Sequence, residues 1–149
     1  MYSHILIATD GSELAQKGID HGLSLAKALS AKVIFVMVTE PFPIAAGATA
    51  SGWVAGPNDI SRYEEGQKEF AGGLLEKARA AAEKMGVEAK VVHVADRWPA
   101  DAIIEVAEEH GSNLIVMASH GRRGLGRLLL GSQTVEVLTH SKVPVLVVR

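Results

Sequence analysis

A glycine-rich segment near the end of the chain has the residue types needed to hold an anion. It runs from Met117 to Ser132 and contains four glycines and three arginines. Glycine lets the backbone turn tightly and approach a ligand. A helix that opens after Gly131 would present free N–H groups and a positive dipole end to a phosphate. The segment therefore predicts an anion cradle, with an ordinary structural turn before a helix as the alternative.

A second polar turn, Thr9-Asp10-Gly11-Ser12, follows the first apolar segment of the chain. Asp10 can be a simple turn residue, or a charge that stabilises the start of a helix. Its carboxylate can also accept hydrogen bonds from ribose hydroxyls or hold Mg²⁺ through water. Both interpretations stay open from the residues alone.

Established phosphate motifs and catalytic arrangements are missing. Gly121 and Gly126 have the spacing of a P-loop, but Arg127-Leu128 replaces Lys-Ser/Thr. A dinucleotide fingerprint starting at Gly124 would need glycine where Leu129 stands. The sequence has no G-x-S-x-G elbow, paired glutamates or zinc triad, and no Cys at all. We expect no efficient enzyme, with slow hydrolysis of a held nucleotide as incidental at most.

Alternating apolar segments supply the elements that must position these turns. The predicted strands are Ile5–Thr9, Val33–Val38, Ala89–Ala95, Leu114–Ala118 and Val143–Val148. The predicted helices are Glu13–Leu29, Arg62–Met85, a third from about Pro99 to Gly111, and a fourth from Gly131-Ser132 to near Ser141. Mostly continuous apolarity indicates strands buried on both faces. The order predicts a five-stranded, parallel, doubly wound α/β sheet with helices on both faces, a Rossmann-like fold.

Helix ends carry further signals. The candidate caps are Ser12 for the first helix, Ser61 with Glu64 for the second, and Asp96 with Asp101 for the third. Ser132 is expected either to cap the fourth helix or to donate to a phosphate. The pair Gly72-Gly73 predicts a weak point inside the second helix, and Gly86 predicts its end.

One long connection does not fit a compact crossover. The segment Thr39–Ile60 contains three prolines, three glycines and Trp53. A loop of this length is expected to be either a mobile insertion or a flap over a site.

Composition excludes several classes of protein. The chain has 149 residues, 48% of them hydrophobic, and a formal net charge of −2. This predicts one domain over residues 1–149, with no global positive field for nucleic acid or an anionic membrane. No apolar run approaches the ~20 residues of a membrane span. The N-terminus lacks the features of a signal peptide, so we expect a cytoplasmic protein.

The opening His4–Ser12 and the segment from Met117 through Val148 resemble the universal stress protein family, and the similarity covers essentially the whole chain. The family's nucleotide signature is Gly-x2-Gly-x9-Gly-Ser/Thr, and here Gly121, nine residues and Gly131-Ser132 match its later part. Ala118 replaces the first glycine, and Arg97 stands where many members have glycine. The resemblance implies a 3-2-1-4-5 strand order.

The resemblance also implies a site for ATP, AMP or ADP in a stress-response module. Adenine would lie near Val38 and Met117, and ribose near Ala8, Thr9 and Asp10, with Mg²⁺ reaching Asp10 through the nucleotide. The phosphates would meet Gly121, Gly131, Ser132, Gln133 and Thr134. The other expected cofactor-binding residues are Ala118, His120 and Arg122, and His120 is expected to be either a neighbour of the phosphates or a solvated loop residue. The alternative is an interaction protein of the same fold in which Ala118 marks a lost nucleotide site.

The last predicted strand, Val143–Val148, is strongly apolar and lies at the chain end, where we expect an outer strand. Pro144 suits an edge because it has no N–H to donate. An exposed apolar edge needs cover, and two such edges can pair about a two-fold axis. Many members of the resembled family dimerise this way, so we expect a homodimer and a protein partner that the sequence does not identify.

Overall fold

The computed structural model describes residues 1–43, 52, 54–121 and 129–149. Its strands are β1 (His4–Ala8), β2 (Lys32–Thr39), β3 (Ala89–Ala95), β4 (Leu114–Ala118) and β5 (Val145–Val148). Its helices are α1 (Glu13–Leu29), α2 (Pro57–Lys84), α3 (Pro99–Glu109) and α4 (Ser132–His140). Strands and helices alternate along the described chain, as the apolar pattern predicts.

The strands form one parallel sheet in the order β3-β2-β1-β4-β5. The chain first builds outward from β1 to β3 and then returns to the other side of β1. The strand order therefore reverses between β1 and β4, and ligands of open parallel sheets bind beyond the carboxyl ends of the strands at such a point. The predicted fold class and strand order are confirmed.

Both faces of the sheet are covered, which explains the continuous apolarity of the strands. On one face Ile7 and Phe35 pack with the apolar stripe of α1, including Leu23, and with α2. On the other face Leu6 and Val36 pack with α3 and α4 through residues such as Ile103 and Val137. Alternate residues of each strand thus serve different helix layers.

Close approach of α1 to the sheet depends on Gly22. A Cβ at this position would lie 2.5 Å from Cδ1 of Ile7 and 2.9 Å from its Cγ1. The helix begins as predicted, with the Ser12 hydroxyl accepting a hydrogen bond from the Ala15 N–H at 3.1 Å.

The start of α2 corrects the sequence prediction. The helix begins at Pro57, so the capping box expected at Ser61 and Glu64 is wrong. The Gly56 N–H instead donates to the Asp59 carboxylate at 2.9 Å, and a proline at the first helical position suits a helix start. The helix also continues through Gly72-Gly73, so no break occurs there.

Two other predicted caps are also wrong. Trp98 precedes α3 without a side-chain capping bond, so Asp96 and Asp101 do not cap this helix. Gly131, not Ser132, occupies the N-cap position of α4. The remaining strand boundaries differ by one or two residues, as at β5, which begins after Pro144. Among the residues that the structure describes, no helix has the length and apolarity to cross a membrane.

Candidate functional site

A cavity of about 640 Å³ lies beyond the carboxyl ends of β1, β2 and β4, between the N-termini of α3 and α4. It includes every predicted site residue that the structure describes. These are Ala8, Thr9, Asp10, Val38, Met117, Ala118, His120, Gly121, Gly131, Ser132, Gln133 and Thr134. Arg122 lies outside the described residues.

The turn after β1 forms part of the polar end of this cavity. The Asp10 carboxylate accepts a hydrogen bond from the Ser12 N–H at 2.9 Å, and Thr9 Oγ1 accepts one from the Gly11 N–H at 3.2 Å. Gly11 has φ +80°, a conformation that favours glycine. The turn therefore holds Asp10 at the mouth of the sheet while shaping the start of α1.

Gly121 approaches Asp10 from the other side of the switch point. A Cβ on Gly121 would lie 2.6 Å from Oδ2 of Asp10. The missing side chain thus lets the turn after β4 close against the turn after β1. The contact with Asp10 therefore explains why position 121 is a glycine, which the spacing of the glycines in the sequence did not explain.

Gly131 places the N-terminus of α4 against the turn after β4. Its N–H donates to the Ser119 carbonyl at 2.7 Å, and a Cβ would lie 3.0 Å from the Cα of His120. Ser132 follows as the first helical residue and its side chain is exposed. The first-turn N–H groups of a helix have no partner within the helix, so this end offers donors and a positive dipole to an anion.

Thr134 and Gln133 tie α4 to its surroundings. The buried Thr134 hydroxyl donates to the Ala118 carbonyl at 3.1 Å. The Gln133 side-chain oxygen accepts from the Ala100 N–H of α3 at 2.9 Å. Gln133 therefore satisfies an N-terminal donor of α3, a role that the resemblance did not imply.

The other end of the cavity is apolar. Val36, Val38 and Met117 contribute from the strands, and Pro99 and Ile103 contribute from α3. Flat apolar walls beside a few polar groups are typical of small-molecule sites. The lining of one cavity thus combines the residues expected near adenine with those expected near phosphate.

Ala118, the departure from the resembled signature, is the last residue of β4 and pairs with Val148 of β5. Among the described residues, the non-glycine positions with positive φ are Ser30 and Asp96. Ala118 therefore needs no glycine conformation. Strand alternation puts its methyl group on the opposite face from Met117, away from the apolar end of the cavity.

Several residues that line the cavity were not found from the sequence. Tyr63 and Gln67 come from α2, Trp98 precedes α3, and Leu129 and Leu130 precede α4. Tyr63 and Gln67 lie in the first half of α2, and the proline at position 57 was the signal for the start of this helix.

A second cavity of about 600 Å³ adjoins the first at the ends of β2 and β3 and shares Thr39 and Tyr63 with it. Its side chains include the His93 imidazole, whose Nε2 lies 2.9 Å from Thr39 Oγ1. Burial lowers the pKa of His93, and the charge of Lys68 lowers it further. Its charged side chains include Glu64, Glu65, Lys68 and Asp96, and it shares Glu40 and Gln67 with the first cavity as well.

A doubly wound parallel sheet with this strand order, and a cleft at its switch point lined by two glycine turns, defines a Rossmann-like α/β domain. The chain belongs to the universal stress protein family, whose model matches residues 1–149. The family resemblance noted in the sequence is thereby confirmed.

Named relatives agree along the whole chain. Universal stress protein MJ0531 of Methanocaldococcus jannaschii is 34% identical over all of this chain and 83% of its own length. Universal stress protein YxiE of Bacillus subtilis is 33% identical over the full length of both.

Solved structures show the same fold. The structure of the M. jannaschii protein MJ0577 matches with a TM-score of 0.81 and 30% identity, over 99% of this chain and 96% of that one. A universal stress protein in complex with cAMP matches with a TM-score of 0.72 and 24% identity, over 99% and 97% of the two chains. The universal stress protein from Archaeoglobus fulgidus in complex with dAMP matches with a TM-score of 0.63 and 19% identity, over 99% and 98%.

Proposed function

We propose that this protein binds an adenine nucleotide, ATP or its mono- or diphosphate form, and acts as a nucleotide-dependent regulatory or interaction module. Binding of the nucleotide, and not its efficient hydrolysis, is the proposed activity. The nucleotide biases the shape of the turns around the cavity and so changes what a partner protein meets. Membership of the universal stress protein family supports the stress-related part of this proposal.

The observation that carries the proposal is the division of one cavity into a polar and an apolar end. Asp10, Gly121 and the start of α4 at Gly131 form the polar end, where a phosphate and a ribose find donors and an acceptor. Val38 and Met117 stand at the apolar end, where a purine would lose contact with water. Adenine nucleotides have the same division into charged and apolar parts.

The structures with cAMP and dAMP are consistent with the proposal. They are universal stress proteins of this fold with adenine nucleotides bound. At 24% and 19% identity these structures support only the fold of this chain. The proposal of a nucleotide ligand is based on the residues described above.

Mg²⁺ fits the polar end as a companion of the nucleotide. Mg²⁺ keeps several waters and binds through one or two carboxylates together with substrate phosphates, and Asp10 supplies such a carboxylate. Among the residues that the structure describes, no group of three or more His, Asp or Glu could hold a metal unaided. We therefore expect Mg²⁺ to tighten ATP binding through Asp10 and to bind poorly alone.

Calorimetric titration with ATP in the presence and absence of Mg²⁺ tests the proposal, together with analysis of nucleotide released when the purified protein is denatured. Ser132→Ala removes an exposed hydroxyl from the phosphate end and should weaken ATP with little change in stability. Thr139→Ala, near the other end of the same helix, is the matched control. Absence of binding by the parent at millimolar ATP would contradict the proposal.

The second candidate is an interaction protein that has lost its nucleotide. Ala118 is one of the residues that line the cavity and stands where the signature has glycine, and this departure is the observation that favours the second candidate. Ala118→Gly separates the two candidates. A variant that binds ATP where the parent does not would show that the methyl group closes the site.

We also propose a homodimer through β5. This strand lies at the edge of the sheet, and Leu146 on it and Val135 and Leu138 on α4 are exposed. Paired edges would cover these apolar side chains and satisfy the open backbone groups. Light scattering at micromolar concentration should give twice the chain mass.

The double substitution Leu138→Lys with Leu146→Lys should release monomers, because both side chains are already exposed and the fold should tolerate the change. Leu29→Lys, an exposed leucine at the end of α1, serves as the control. A dimer that persists in the double variant would exclude this interface.

A further inference from the structure

Trp98 is a large aromatic side chain that lines the cavity and still has 58% of its surface exposed. It occupies the position immediately before α3. Aromatic side chains gain most from contact with other flat apolar groups. An indole in contact with the cavity and largely uncovered therefore has a face available to a ligand.

The backbone around Trp98 is held from several sides. The Arg97 N–H donates to the Thr39 carbonyl at 3.3 Å, which joins this turn to the end of β2. The Arg97 guanidinium contacts the Glu105 carboxylate at 2.6 Å, one turn or more into α3. The turn that contains Trp98 is thus held by a strand and a helix. A ligand that contacts Trp98 would therefore lose little binding free energy to the ordering of this turn.

The neighbours of Trp98 decide which part of a ligand it meets. Pro99 and Ile103 follow it on α3 and belong to the apolar end of the cavity. Asp10 and Gly131 lie with the turns after β1 and β4, at the polar end. A nucleotide whose phosphates lie at the start of α4 would direct its base toward the apolar end.

We propose that Trp98 covers the base of the bound nucleotide and makes the site selective for purines over pyrimidines. This inference rests on the proposed nucleotide binding and adds a specificity-determining residue to it. A purine has a larger flat surface than a pyrimidine and would bury more of the exposed indole. Aromatic–base stacking is sequence-tolerant in general, so the preference comes from the area of contact, combined with the fixed position of the indole.

Calorimetry or competition binding with ATP and CTP on Trp98→Ala measures the effect. We expect ATP to weaken by about 5- to 30-fold, the lower half of the range for loss of one stacked base, and CTP to weaken by less. The ATP-to-CTP affinity ratio should therefore fall. Trp98→Phe, which retains an aromatic face, should restore most of the ratio.

Two controls keep the result specific. Leu29→Ala removes a comparably exposed apolar side chain at the far end of α1 and should leave both affinities unchanged. The sequence has two tryptophans, so in a Trp53→Phe background the emission of Trp98 should change when ATP binds.

Different failures have different meanings. If the parent binds no ATP, the proposed function fails and this inference fails with it. If the parent binds ATP but Trp98→Ala binds ATP and CTP as the parent does, the function stands and the role of Trp98 is overturned. Equal weakening of ATP and CTP would also overturn it, because Trp98 would then act through the shape of the turn.

Discussion

Replacement of Gly131 by alanine tests the structural basis of the phosphate end. The new Cβ would lie 3.0 Å from the Cα and 3.2 Å from the Cβ of His120, where ordinary contacts are 3.4–4 Å. The obstacle is backbone, and it is restrained because the Gly131 N–H donates to the Ser119 carbonyl at 2.7 Å. The Ser119 N–H in turn donates to the Val148 carbonyl at 2.8 Å, so the whole turn is anchored to β5.

The size of the effect follows from this restraint. A shortfall of a few tenths of an ångström against a held backbone costs about 1–3 kcal/mol in overpacked sites. In a domain of this size that lowers the melting temperature by about 2–4 °C for each kcal/mol. Gly131→Val adds two more methyl groups and should cost more. Loss of ATP in the valine variant would therefore combine blocked access with a displaced turn.

Gly121→Ala is the matched comparison. Its Cβ would meet Oδ2 of Asp10 at 2.6 Å, which is the end of a side chain that can rotate away. The main cost is the hydrogen bond from the Ser12 N–H to Asp10, about 1 kcal/mol. This variant should lose less stability than Gly131→Ala and should still weaken ATP, because Asp10 is displaced.

Chemical denaturation measures the stability of the parent, Gly131→Ala and Gly121→Ala, and calorimetry measures their affinity for ATP. The reasoning is refuted if Gly131→Ala unfolds at the same denaturant concentration as the parent, because the contact with His120 would then be absent. It is also refuted if Gly131→Ala is destabilised and yet binds ATP with parental affinity, because the phosphate end would then lie elsewhere.

Three further predictions follow from other contacts. Burial and the charge of Lys68 lower the pKa of His93 from its ordinary value near 6.5. The unfolded chain therefore takes up the proton more readily, and the stability of the fold decreases as the pH drops below about 6.5. In thermal denaturation, His93→Gln should lose less stability than the parent between pH 7.5 and pH 5. Gln133→Leu leaves the Ala100 N–H unpaired and should cost about 1 kcal/mol in chemical denaturation, whereas Gln133→Glu keeps an acceptor, preserves stability and repels the phosphates of ATP. Phe35→Ala empties a fully buried position and should lower the free energy of unfolding by about 3–5 kcal/mol; a loss below about 1 kcal/mol would contradict the burial.

Strong local patterns explain why most of the fold was predictable. The apolar runs of β1, β2 and β4 have no polar face, and only a sheet covered on both sides buries them. Ser12 caps α1 as its position indicated. Such signals depend on a few neighbouring residues and need no knowledge of distant contacts.

The errors arose where several local signals competed. The observed start of α2 at Pro57 lies five residues before the expected start at Arg62, and the Ser61–Glu64 pair has the residue types of a capping box whereas Gly56–Asp59 does not. The helix forms at Pro57, where the Gly56 N–H donates to the Asp59 carboxylate. The third helix uses an acceptor from Gln133, and no window of sequence around Pro99 contains that residue.

The candidate site shows the same division. The glycines and Asp10 were identified from their spacing and from the family resemblance, and the fold brings the described ones to one cavity. The steric reasons for Gly121 and Gly131 involve contacts with Asp10 and His120 across turns. Such contacts depend on the register of β1 against β4, which a local pattern does not specify.

The pairing of β1 with β4 has a consequence for how the chain is completed during synthesis. The edge of β1 that receives β4 stays open until more than a hundred further residues have been added. An open strand edge is a template for pairing with other chains, so the nascent protein is most exposed to aggregation before β4 arrives. The turns after β1 and β4, which form the polar end, meet only when β4 pairs with β1. A nucleotide bound to both turns would therefore stabilise the contact between the early and late parts of the chain. At a nucleotide concentration one hundred times the Kd, binding would raise the free energy of unfolding by about 2.7 kcal/mol. The nucleotide concentration in the cell would therefore determine the stability of the finished domain.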